Sequence, residues 1–179
     1  LFLSLLYQYN QDKFQKVLNA VLNENQAIIE IGVQFFQQER SDVSVFDATI
    51  EQKSFKIAVE AKLNNDFNLK QLKGHVEGLH NDPSENKKIL LMLSKNELSK
   101  KFREDVIRYI KDKDYKDVQI ASTSYANLIE IVSGQINDFE REFKETISEY
   151  VEFCEENKLI DKSESTMIIL PSGTSINEN

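Results

Sequence analysis

The sequence predicts an α/β fold, and three observations carry that prediction. Stretches with apolar residues at helical spacing alternate along the chain with short runs of period two. The order they give is helix, three strands, helix, strand, helix, strand, helix. In 179 residues there are only 5 Gly, 2 Pro and no Trp, which counts against a loop-rich β-sandwich. Hydrophobic residues make up 40% and charged residues 29%, so one domain of this length can bury its own core.

The opening LFLSLL is apolar but too short for a membrane span. It has neither a basic start nor a small-residue cleavage site, so it does not read as a signal peptide. From Tyr9 to Asn25, Phe14, Val17, Leu18, Val21 and Leu22 recur at helical spacing and predict an amphipathic helix. From Ala27 to Gln38, Ile29, Ile31, Val33 and Phe35 share one parity, which predicts a strand. Ser44 to Gln52 and Phe55 to Leu63 are the next two strands, joined by a tight turn near Gln52 and Lys53. Asn64 to His80 is polar and helical until NDPSEN breaks it. KKILLML, from Lys87, is a short apolar run of the buried-strand type. The helix that follows, to Lys113, opens with a cap at Ser94 or Asn96. DVQIAST, from Asp117, is a fifth strand, and Ser124 to Asn157 is helical in two pieces that divide around Ser133 and Gly134. Residues 1–160 are expected to form the domain. Residues 161–179 read as a tail whose short β-like run belongs to a following segment or pairs with a partner.

The single cysteine, Cys154, cannot form an internal disulfide, which makes a reducing cytoplasm the expected compartment. It sits among Phe153, Glu155 and Glu156, a poor setting for a reactive thiolate. With two histidines, His75 and His80, the chain has too few ligands for a structural zinc site. Both histidines read as surface residues. The formal charge of −8 argues at first against a nucleic-acid partner. The distribution of that charge along the chain weakens the exclusion. From Asn137 to Asn179 there are 11 acids against 4 bases, whereas the rest of the chain is close to neutral. Between Lys53 and Lys73, five lysines face only Glu60 and Asp66. The acidic C-terminal helix is most simply a solvated face.

FKIAVEAKL, Phe55 to Leu63, puts Glu60 and Lys62 on the polar parity of an otherwise apolar strand. Acid-x-Lys as a text pattern recurs elsewhere, at Glu51, Glu85, Asp114, Glu142 and Glu156, but in turns, loops or charged helices. By itself such a pair is a solvated strand face. Spacing of two on a strand nevertheless points both side chains to one face, as a shared site requires. With Gln52 and Lys53 at the centre of the turn, Asp47 falls opposite Ala58 and diagonal to Glu60. Diagonal neighbours lie about 7–8 Å apart, close enough for two carboxylates to share one small hard cation. A one-residue slip would bury Asp47 unpaired among Ile57 and Val59, so the apolar pattern favours this register.

Asp47, twelve residues, then Glu60-Ala61-Lys62 on successive strands after a helix resembles the PD-(D/E)XK, or restriction-endonuclease-like, nuclease superfamily. The match runs from about Asp12 to Val132, because the element order also fits that family's αβββαβ core. Gln71 looks like the glutamine that several branches carry on the following helix. Phe46 stands where the family name has proline, and His75 where some branches have tyrosine. The acid often found on the first helix has no clear match, with Asp12, Glu24 and Glu30 as candidates; Glu30 reads otherwise as a strand-edge or salt-bridged residue. The resemblance implies a mixed central sheet flanked by helices and a Mg2+- or Mn2+-dependent phosphodiesterase acting on DNA, in restriction, phage defence or repair. Asp47, Glu60 and the Ala61 carbonyl would hold the metal. Lys62 would orient the attacking water and stabilise charge on the phosphate, and Gln71 would position either. Lys70 and Lys73 would contact the nucleic-acid backbone. RNA is a second substrate to consider, and a homodimer, a further domain or a protein partner are expected forms of assembly. The rival reading is a catalytically silent binding or assembly module on the same fold.

Overall fold

The computed structural model describes residues 2–23, 34–37, 45–52, 55–64, 66–83, 87–136 and 140–161. Among them are six helices and five strands. The helices are α1 (Phe2–Tyr9), α2 (Gln11–Asn23), α3 (Leu69–His80), α4 (Lys100–Asp112), α5 (Tyr125–Ser133) and α6 (Arg141–Glu156). The strands are β1 (Gln34–Gln37), β2 (Ala48–Gln52), β3 (Phe55–Ala61), β4 (Lys87–Ser94) and β5 (Val118–Ser124). They form one mixed sheet in the order β1-β2-β3-β4-β5. The first two pairings are antiparallel and the last two parallel. The two parallel steps each need a crossover, which α3 and α4 supply.

Helices cover both faces. On one, Phe14, Val17, Leu18 and Val21 of α2, with apolar residues of α1, α5 and α6, pack on Ile50, Ile57, Val59, Ile89 and Leu91. On the other, Leu72, Val76 and Leu79 of α3 and Val106 of α4 pack on Ala58, Leu90, Met92 and Ile120. A strand covered on both sides needs an apolar run rather than alternation, and β4 has one. β3 does not, yet its polar parity is covered all the same, which counts against reading it as a plain solvated face. Lys56, Ala58 and Glu60 are all buried beneath α3.

Boundaries also differ from the sequence reading, as where β2 starts at Ala48 and β3 ends at Ala61. The opening apolar stretch is helix α1, and its Phe2 stacks on Tyr150 of α6 at 3.7 Å between ring centres. α3 starts later than expected because Asn68 caps it, its Oδ1 accepting the amides of Lys70 (2.8 Å) and Gln71 (3.4 Å). The cap of α4 is Ser99, not Ser94 or Asn96, since Ser94 still belongs to β4. The expected division between α5 and α6 falls where predicted, with Gly134 closing α5. The first part of the expected first strand, Glu24 and Glu30, and the tail from residue 162 lie outside the described residues. No helix among the described residues is long and apolar enough to cross a membrane.

Candidate functional site

The β2–β3 hairpin sets the geometry of the site, and its register differs from the predicted one. Gln52 pairs with Phe55 and Ala48 with Val59, so the pairing is centred one position later than expected. The strands therefore shift by two pairing steps, and facing parity survives along the regular ladder. At its end the ladder is irregular. The Asp47 amide donates to the carbonyl of Val59 at 3.2 Å, although Val59 is already the partner of Ala48. Two residues of one strand thus oppose one of the other, which is a β-bulge. The packing records it. Ala48 and Ile50 lie in the cluster with Ile57 and Val59, whereas Phe46 lies in the cluster on the opposite face.

The bulge re-aims Asp47. The prediction placed its carboxylate on the face of Glu60; its Oδ2 accepts the Ala61 amide at 2.8 Å, at the end of the ladder. Asp47 is exposed, and its charge is felt by Tyr125 at the start of α5. Burial, then Cys154 and Asp47, push the Tyr125 hydroxyl up to about 12. Asp47 and Glu60 therefore flank a single peptide group, the one that joins Glu60 to Ala61.

Glu60 is only 2% exposed and three side chains converge on it. Lys62 Nζ lies 2.6 Å from Oε1, and Gln71 Nε2 donates to the same oxygen at 2.8 Å. His75 Nε2 lies 3.2 Å from Oε2. Burial alone would push the Glu60 carboxyl up. The hydrogen bonds and charges of His75 and Lys62 outweigh it and hold the group below its ordinary value. The cluster opens to solvent through Gln71, which is exposed, and Lys62, which is half-buried. Lys62 extends the parallel ladder, its amide donating to Leu93 O at 2.8 Å.

His75 departs from the sequence reading in its burial. It is buried, not on the surface, and its ring lies 5.2 Å from that of Phe46. The signal was available: His75 lies three residues after Leu72 and four after Gln71, on the inward face that Val76 and Leu79 continue. Lys70 is exposed at the start of α3. Lys73 instead lies over the ring of Tyr109 on α4, 5.0 Å from its centre. Asp12 is exposed in the first turn of α2.

A second polar cluster lies at the other end of β3. Lys56 Nζ meets Glu51 at 2.6 Å and Asp82 at 2.9 Å. Its ladder neighbour Lys88 donates to the carbonyls of His80 and Asp82 and pairs with Asp117 at 3.0 Å. His80, with 37% of its side chain exposed, meets Asp117 at 2.8 Å and stacks on Tyr115.

Among the described residues, no group of three or more His, Cys, Asp or Glu is placed to hold a metal ion. A cation held by Asp47, Glu60 and the Ala61 carbonyl would use a smaller side-chain set. The donors are hard oxygens, which suit magnesium or manganese. A carboxylate offers about four lone-pair positions. Three donors face Glu60 and one faces Asp47, so the residues fit a cation that keeps several of its waters. The chain matches no protein-family model, and neither a curated protein nor a solved structure matches it.

Proposed function

We propose that this chain is a metal-dependent nuclease of the restriction-endonuclease-like kind, hydrolysing DNA phosphodiester bonds with Mg2+ or Mn2+. The element order from α2 to β4 supports the reading, since it follows the αβββαβ core. The observation that carries it is the convergence of Lys62, Gln71 and His75 on a buried carboxylate, one peptide group from a second, exposed one. A bound cation would polarise a phosphate oxygen and acidify its own water. Lys62 reaches both Glu60 and solvent, so its ammonium orients the attacking water and stabilises charge growing on the phosphate. Gln71 donates to one Glu60 oxygen, His75 lies against the other, and Asp47 is held by the Ala61 amide. Lys70 supplies sequence-independent attraction for the phosphodiester backbone.

The formal charge of −8 favours a second reading, a binding or assembly module that does not cut. One experiment separates the two. The purified chain is incubated with plasmid, linear and single-stranded DNA, and with RNA, in Mg2+, in Mn2+ and in EDTA, alongside Lys62→Ala. Metal-dependent cleavage by the wild type that Lys62→Ala loses is the expected result. No cleavage in either metal, or equal cleavage by Lys62→Ala, rejects the assignment.

A further inference from the structure

Beside the Glu60 cluster lies a cavity of about 200 Å³ that the reaction above leaves unused. Phe67, Leu98 and Phe102 form its apolar wall, and Ser94, Asn96 and Glu97 its polar one. Register fixes its position. Glu60 pairs with Met92 and Ala61 with Leu93, so Ser94 is the β4 residue beside Lys62, and neighbouring strands lie about 4.8 Å apart. Phe67 belongs to the segment between Lys62 and the Asn68 cap. The cavity and the candidate catalytic residues thus share one chain segment and one strand end.

We propose that this cavity receives one unpaired nucleobase of the strand being cut, which makes the substrate single-stranded or unpaired at that nucleotide. The proposal rests on the nuclease reading and deepens it. The lining selects the occupant. Its one charged residue is Glu97, so a phosphate is repelled, whereas a planar, neutral ring with polar edges matches a wall carrying two aromatic rings and an amide-carboxylate rim. A carboxylate accepts a hydrogen bond from an exocyclic amine, as cytosine presents. The cations of this region, Lys95, Lys100 and Lys101, stand outside the lining, on the loop and helix start where a backbone would run. The rim is pre-set: Ser94 Oγ donates to Asn96 O at 2.7 Å, and Ser99 Oγ accepts the Phe102 amide at 3.3 Å. A base inside a duplex is stacked and paired and cannot enter a cavity; an unpaired or extruded one can.

The test is binding in EDTA, where metal-dependent cleavage is off, of a deoxycytidine oligomer and of an abasic oligomer of the same length. Stacking a base on an aromatic ring contributes about 1–3 kcal/mol, so the base-bearing strand should bind about tenfold tighter or more. Phe102→Ala should collapse that ratio toward one. Glu97→Ala, at an exposed position, serves as the second variant should the first fold poorly, and should lower the ratio severalfold. A wild-type ratio near one, or a ratio that neither folded variant changes, overturns the proposal. Cleavage in Mg2+ keeps the two failures apart. Duplex cut as fast as single strands rejects the cavity and leaves the nuclease standing. A base-dependent ratio without any cleavage rejects the nuclease and supports base capture.

Discussion

At the amino end of β3, Lys56 and its neighbour Lys88 are buried cations with their partners in place. The three protons of the Lys88 ammonium meet three oxygens, at 3.1, 2.9 and 3.0 Å. Two of those oxygens are carbonyls at the carboxyl end of α3, where a cation is favoured. At the carboxyl end of β3, Glu60 is a buried anion on which three side chains converge, and Lys62, Gln71 and Asp47 carry the cluster out to solvent. Both clusters sit under one helix. The first closes in and saturates its two lysines, with Glu51, His80 and Asp117 at its partly exposed edge, and joins β2, β3, β4, α3 and the start of β5. The second is open and holds its charge where another molecule can reach it. Burial of charge alone therefore does not identify a functional site; the opening and the arrangement of donors do.

The sharpest way to break this comparison is to remove one lysine from each end. Lys62→Ala should lower metal-dependent cleavage by about 10²–10³-fold, the cost of losing one donor aimed at developing charge. Its cost in urea unfolding should be smaller than that of the change at the other end, because Lys62 is itself partly exposed and Gln71 and His75 still face Glu60. Lys88→Ala should do the reverse in stability, losing about 3 kcal/mol because a charged donor is removed from three buried or half-buried acceptors. Equal unfolding costs for the two variants would erase the distinction between the ends.

A smaller effect sharpens it. Mg2+ should raise the melting temperature through the open end alone. A ligand at one hundred times its Kd stabilises by about 2.7 kcal/mol. Asp47→Asn should lose most of that gain, because a neutral amide is a weak ligand for a hard dication, while Asp82→Asn should keep it. Calorimetry with and without Mg2+ checks both, and a full Mg2+ response in Asp47→Asn would remove Asp47 from the metal site.

Much of this arrangement was legible in the chain. Apolar alternation located β3, and the spacing of Glu60, Lys62 and Gln71 brought together three groups that do meet. What stayed hidden was decided by neighbours distant in sequence. Alternation in β3 says that one face is apolar, but not that α3 covers the other, so the burial of Lys56, Glu60 and His75 was not legible. The register rested on an assumed turn at Gln52 and Lys53. Pairing of Gln52 with Phe55 moved it, and the bulge at Asp47 leaves no mark in a pattern of polar and apolar residues. The LFLSLL stretch was too short to show a helical period, and its helix is stabilised by rings on α6.

The smallest predicted effect lies at the closed end and depends on pH. Burial tends to push the Asp117 carboxyl up. Hydrogen bonds from His80, from Lys88 and from its own backbone, with the charge of Lys88, pull it further down, so it ends below its ordinary value. A carboxyl depressed in the folded state adds stability above its unfolded value, about pH 3.9, and that stability is lost as pH falls through the folded value. Asp117 is 34% exposed, so solvent screens the contribution and the effect is small. Urea midpoints of wild type and Asp117→Asn should differ by a constant amount above about pH 5, and the gap should close below pH 4. Glu60 titrates in the same window in both proteins, so the difference isolates Asp117. A gap that stays constant down to pH 2, or widens, would mean that Asp117 contributes packing and not charge, and that the closed end is held by Asp82 and Glu51 alone.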